Sequence, residues 1–190
     1  MRKAIFAVVF AAGLSACSTQ VNTEVEGAAD AVETVADSAT VAQRVTDIYT
    51  EVFKLYNRMD SVSGAGGEMP SMPNVDSLYC SADWNEWVGK VKAYDEQHND
   101  GALGFFEGDY WIMGQDWHNL GVSDVKVNAL ADSTAVVEIM LHNFDQVSPV
   151  CVEMTLEQGA WRIDNFIDVE SSYDWKSSMK EYMSTKQKKD

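Results

Sequence analysis

Basic residues, histidines, cysteines and prolines are all scarce in this 190-residue chain, and each shortage removes a class of function. Fourteen Lys and Arg stand against 30 Asp and Glu, a formal net charge of −16, so a polyphosphate backbone is repelled over most of the surface and nucleic acid is excluded as a partner. The three histidines, His98, His118 and His142, lie far apart, and neither an H-E-x-x-H nor a C-x-x-C pattern nor an acidic calcium loop occurs, so no metal site and no cofactor is expected. No Gly-x-Ser-x-Gly elbow is present, and no catalytic set is assigned. The apolar run Ile5–Leu14 has ten residues, half of the roughly 20 that a helix needs to cross a bilayer. What is there, 46% hydrophobic, 11% aromatic and 23% charged, is the composition of a globular domain.

The amino terminus reads as an address. Arg2 and Lys3 precede the apolar run, and Leu14-Ser15-Ala16 lead into Cys17. This arrangement resembles a bacterial lipoprotein signal, in which the Leu-Ser-Ala-Cys lipobox presents its thiol to a diacylglyceryl donor before cleavage leaves the cysteine as the acylated first residue. Residues 1–16 are then a signal peptide and Cys17 the lipidation site, with the bilayer as partner. The location implied is the bacterial cell envelope, facing the periplasm or the cell surface. Each buried methylene contributes about 0.8 kcal/mol, so two or three chains hold a protein on a membrane where one is marginal. Losing Arg2 and Lys3 with the leader makes the mature chain more acidic still.

From residue 17 to 40 the chain carries Glu24, Glu26, Asp30, Glu33 and Asp37 with no Lys, Arg or aromatic residue, and it reads as an acidic tether. A single domain is expected over 41–185, followed by a basic tail at 186–190. Val41, Val45, Ile48, Val52 and Leu55, with Tyr49 and Tyr56, predict an amphipathic helix ending near Asn57. Three Gly and two Pro between Ser61 and Asp76 predict a long loop. Ser81 or Asp83 caps a second helix with Trp84, Trp87, Val88, Val91 and Tyr94 on one face, and Asn99-Asp100-Gly101 stops it. The period then changes to two. Strands are predicted at Asp109–Met113, around Val125–Ala129, within Thr134–Phe144, at Val150–Leu156, and from Trp161 to Ile167 after a turn at Glu157-Gln158-Gly159. Lys176–Met183 reads as a closing helix.

Helices followed by hairpin-linked strands imply an α+β domain, with N-terminal helices packed on a curved antiparallel sheet. CSADWNEW at Cys80–Trp87, DYW at Asp109–Trp111 leading to GQDW at Gly114–Trp117, and WRIDN at Trp161–Asn165 carry a resemblance across about residues 41–185. The chain resembles the nuclear-transport-factor-like cone folds, in particular the lipoproteins grouped under domain of unknown function 3828. That resemblance implies a cone with a pocket between helices and concave sheet, and such folds often pair as homodimers through their sheets. It implies no particular chemistry, since the fold hosts enzymes and binding modules alike.

Asp109, Trp111, Asp116, Trp117 and His118 crowd one stretch, where two carboxylates beside an imidazole suit acid–base work or a hydrophilic ligand; the competing reading makes the tryptophans core and Asp116 a turn residue. His142 shares a face with Glu138 and Met140 by alternation, and a His–Glu pair would serve as a general base if that face lines a cavity; otherwise both are solvated strand residues. Cys80 and Cys151 are either a disulfide closing a loop of roughly 72 residues or two separate thiols. Trp111, Trp117 and Trp175 are the rings open to a sugar platform. The expected role is a non-catalytic envelope binding protein for a small molecule, glycan or protein. The alternatives are a pocket enzyme of the isomerase, dehydratase or hydrolase kind, or an inhibitor or assembly protein acting through its surface.

Overall fold

A computed structural model describes residues 37–64, 71–98 and 104–186, all within one compact unit, Thr34–Asp190. The expected signal peptide, Cys17, the expected tether up to residue 36, the expected Asn99–Gly101 stop and residues 187–190 lie outside the described residues. Helix α1 (Ser38–Gly64) begins earlier than its apolar stripe, because Asp37 caps it. The Asp37 carboxylate accepts from the Thr40 backbone N–H and from the Thr40 hydroxyl, both at 2.8 Å. The last residues of the expected tether are therefore helical. The helix also outruns its stripe at the other end, since no residue between Asn57 and Ser63 breaks it before the glycine-rich stretch.

The expected loop runs into a second element, α2 (Val75–Tyr79), which takes its last two residues and is capped by the Asn74 side chain, which accepts from the Ser77 N–H at 3.2 Å. Helix α3 (Ala82–His98) follows at once, with Ser81 as cap, its hydroxyl oxygen accepting from the Trp84 N–H at 2.9 Å. Trp84, Val88 and Val91 form the buried face, as their spacing predicts.

Five strands then run as a meander: β1 (Gly121–Leu130), β2 (Thr134–Asn143), β3 (Gln146–Glu157), β4 (Ala160–Asp168) and β5 (Tyr173–Asp174), every neighbouring pair antiparallel. Helix α4 (Trp175–Lys186) closes the described chain. Gln158 and Gly159 form the β3–β4 turn with φ of 52° and 78°, the left-handed pair that matches strand twist in a two-residue hairpin. Burial follows the predicted alternation throughout β2 and β3 and in β4 as far as Ile163, after which the irregular pairing at Glu153/Met154 puts Phe166 in the core where Ile167 was expected. Val137, Ile139 and Leu141 of β2, Val150, Val152 and Met154 of β3, and Ile163 and Phe166 of β4 are all buried. They meet the α1 stripe of Val41, Val45, Ile48, Tyr49 and Val52 in one core. Each such side chain stabilises the fold by about 1.5–3 kcal/mol relative to exposure. The structure is thus the α+β fold of helices on an antiparallel sheet that the sequence implied, with an open sheet of five strands that includes the unexpected short β5.

Cys80 and Cys151 are separate thiols. Cys80 forms a parallel bridge to Ile163 on one edge of β4, whereas Cys151 pairs with Ile167 from β3 on the other edge. Two strand spacings of about 4.8 Å exceed the ~7 Å Cα limit for a disulfide. Burial pushes the Cys80 thiol well above its usual range and the Cys151 thiol up to about 11, so neither is a ready thiolate.

One polar network ties α3, β4 and α4 together. The Lys176 ammonium, nearly buried, lies 2.5 Å from Asp83 and 2.7 Å from Asp164, and the Ser81 hydroxyl donates to the second oxygen of Asp164 at 2.6 Å. Asp83 is half-exposed, so the cluster is weaker than a fully desolvated one but stronger than a surface pair. Lys176→Met is expected to lower stability by about 2 kcal/mol, and Ser81→Ala by about 1–2 kcal/mol, in urea unfolding.

Candidate functional site

Asp109–Met113 is not a strand. The Asp109 N–H donates to the Gly114 carbonyl at 2.7 Å and the Gly114 N–H to the Asp109 carbonyl at 3.2 Å, closing a tight turn in which Met113 takes a φ of 50°. The Asp109 carboxylate also accepts the Trp111 backbone N–H at 2.8 Å, a side-chain-to-backbone turn that competes with an extended chain. Alternation is lost as a result. Tyr110, Trp111 and Ile112 are buried consecutively. Trp111 packs edge-on against Tyr49 and Phe166 at 5.7 and 4.9 Å, and Tyr110 against Trp84 at 5.0 Å.

This turn forms one wall of a cleft of about 370 Å³. The end of α1 contributes Tyr56, the 72–76 segment Met72, Pro73, Asn74, Val75 and Asp76, and α3 Lys92; Phe106 and Gly108–Trp111 complete the lining. No strand residue lines it. The cleft thus opens beside the helices rather than between them and the sheet, where the apolar core fills the space.

Two phenol–carboxylate pairs dominate its wall. Asp76, 6% exposed, accepts the Trp111 indole N–H at 2.8 Å and a short bond from the Tyr110 hydroxyl. Asp109 accepts the Tyr56 hydroxyl at 2.5 Å. Burial, then the facing carboxylates, push both phenols far above their usual range, so each is a permanent donor. Burial raises the Asp109 carboxyl above the ordinary carboxylate range, against the pull of the Tyr56 and Trp111 donors and of the Lys92 charge. Asp76 adds like-charge repulsion in the same direction.

The remaining sequence candidates are not brought to this point. Asp116 is exposed, and its carbonyl accepts from the Asn143 amide at 3.0 Å. His118 is exposed with its Nδ1 2.9 Å from Asp60. Glu138 and His142 alternate with the buried residues of β2 and so lie on the sheet face away from the helices, where His142 Nε2 is 2.8 Å from the Ser123 hydroxyl. The general-base pair on a cavity wall is therefore corrected to an outer-face placement. The sugar platform fails for a similar reason. Trp111 and Trp175 are buried, and Trp117 is half-buried with its ring edge-on to Tyr56 at 5.2 Å and its indole N–H on the Tyr56 carbonyl.

Three site residues escaped the sequence reading. Asp76 lay in a presumed loop, Tyr56 in a stripe that reads as plain core, and Tyr110 on the opposite side from Asp109 under strand alternation. The one available signal was an acid just after Asn74, the pattern of a capped short helix. Among the described residues no group of three His, Cys, Asp or Glu is placed to hold a metal ion.

Because the folded state holds the Asp109 proton more tightly than the unfolded chain, this group destabilises the fold as pH rises from the unfolded carboxylate value, near 3.8, through its higher folded value. Thermal melts at neutral pH and near pH 4 should show wild type gaining on Asp109→Asn at the lower pH. A constant difference would contradict the raised carboxyl.

No protein-family model matches the chain, and no curated protein or solved structure is significantly similar to it.

Proposed function

We propose that this chain is a lipid-anchored cell-envelope protein whose folded module binds a small ligand in the Asp76–Asp109 cleft without transforming it. Leu14-Ser15-Ala16-Cys17 supports the anchor: cleavage before Cys17 leaves a diacylglyceryl thioether, and residues 17–36 supply an acidic spacer that an anionic bilayer repels. Residues 41–185, with the capped start of α1, form the module. Its helices-then-meander order, and the irregular register at Ser123/Lys126, Val127/Ala129 and Glu153/Met154, which bends strands, support a cone-shaped nuclear-transport-factor-like form and kinship with the domain-of-unknown-function 3828 lipoproteins.

The observation that carries the binding reading is the cleft itself, about 370 Å³ with aromatic walls and two carboxylates held rigid by Tyr and Trp donors. Preorganised polar groups set among aromatic and apolar side chains are a feature of ligand sites, and this cleft is lined by both. An enzyme built on Asp109, Asp116, His118, Glu138 and His142 would need two of them at one buried point, and they are dispersed over the turn, the exposed rim and the outer sheet face.

Fractionation and intact-mass measurement test the anchor. The wild-type protein is expected in the membrane fraction, beginning at Cys17 with added acyl mass, while Cys17→Ala remains an uncleaved, unlipidated precursor. A wild-type protein with an unmodified Cys17 would overturn the proposal.

A further inference from the structure

We infer that the cleft selects a small organic cation, an amine carried on an apolar or aromatic body. This rests on the binding reading above and adds the ligand's chemical class. Three observations lead to it. First, the walls are electronegative in two ways: the carboxyl groups of Asp76 and Asp109 bring their oxygens to the lining, and the half-buried Phe106 ring offers a quadrupolar face that favours a cation. Secondly, the chain already places a cation in that field. The Lys92 ammonium sits 5.7 Å from the centroid of the Phe106 ring at the rim, and its charge is felt by Asp109. Lys92 is exposed, so it leaves the interior of the cleft to another occupant.

Thirdly, the tyrosine and tryptophan donors beside the two carboxyl groups are committed to them. The Tyr56 hydroxyl and Trp111 backbone N–H go to Asp109, and the Tyr110 hydroxyl and Trp111 indole N–H go to Asp76. What this Asp–Tyr face of the wall offers a ligand is acceptor lone pairs, two on each phenol oxygen and one more on each carboxylate oxygen, with the Lys92 ammonium at the rim as the lining's own cation. An ammonium brings three donors and no acceptor, and so fits that surface; a carboxylate or phosphate brings acceptors and negative charge against two aspartates. The volume sits at the small end of ligand pockets, which run from about 300 to 1,000 Å³, and a single ring with one amine fits within it.

The test uses three probes of one shape and different charge: benzylamine, benzyl alcohol and benzoate. Each is titrated calorimetrically into the full mature protein in a neutral detergent, with a detergent blank. Benzylamine should bind saturably and roughly tenfold more tightly than benzyl alcohol, with benzoate weakest. Asp109→Asn should weaken benzylamine about fivefold and leave benzyl alcohol unmoved. Lys92→Gln, an exposed change that spares the fold, should tighten benzylamine about threefold by removing a like charge. Equal or tighter binding of the alcohol or the acid, lost in Phe106→Ala, overturns the cation preference while leaving the binding reading intact. No saturable binding of any probe up to about 10 mM overturns both.

Discussion

The Trp111 side chain joins the two halves of this molecule's physics. Its ring is wedged between Tyr49 of α1 and Phe166 of β4, so it belongs to the apolar core that glues helix to sheet. Its indole N–H reaches Asp76, and its backbone N–H is fixed by Asp109. A buried indole without a partner would carry a desolvation cost of about 1–3 kcal/mol, and here that need is met by the carboxylate that shapes the cleft. Core packing and site geometry are therefore one constraint. The turn that carries Trp111 cannot relax without disturbing both.

The same economy recurs close by, where the Trp175 ring packs on Tyr110 and Lys176 follows it. Ser81 caps α3 and donates to Asp164; Asp164 holds Lys176; Lys176 reaches back to Asp83 in the first turn of α3. Beside it, Asn165 joins Asp174 and the Lys176 backbone N–H, tying β4 to the start of α4. Helix ends and strand ends are thereby pinned by side chains a few residues from each cap. The free edge of β4 is occupied by the Cys80 bridge and by short β5, which limits the exposed backbone that an edge strand would otherwise present.

Most of the secondary structure was legible because its signals are periodic and local. Val137-Ile139-Leu141 and Val150-Val152-Met154 alternate without interruption, and burial follows them residue by residue. Ser81 announced α3 by its cap. The site was far less legible. Asp109, Trp111 and Met113 imitate a strand because alternation over five residues cannot be told from a turn whose hydrogen bonds run from a side chain to its own backbone. Glu138 and His142 were correctly placed on one face, but alternation does not say which face meets the helices. Tyr56 looked like any other member of an apolar stripe, since the hydroxyl that matters finds its partner 53 residues away.

What the chain determined by itself was its excess of acid, its Leu14-Ser15-Ala16-Cys17 stretch, the class of its fold and the order of its long helices and strands, all of them consequences of composition or of spacing within about ten residues. Only the tertiary structure decided that Asp76 and Asp109 share a wall, that Tyr56 and Tyr110 supply their donors, and that the two cysteines stand on opposite edges of β4. The reason is that a hydrogen bond between distant residues leaves no periodic trace. It exists when packing brings a buried donor and a buried acceptor to the same few ångströms, and that packing is set by core contacts between residues far apart in the chain.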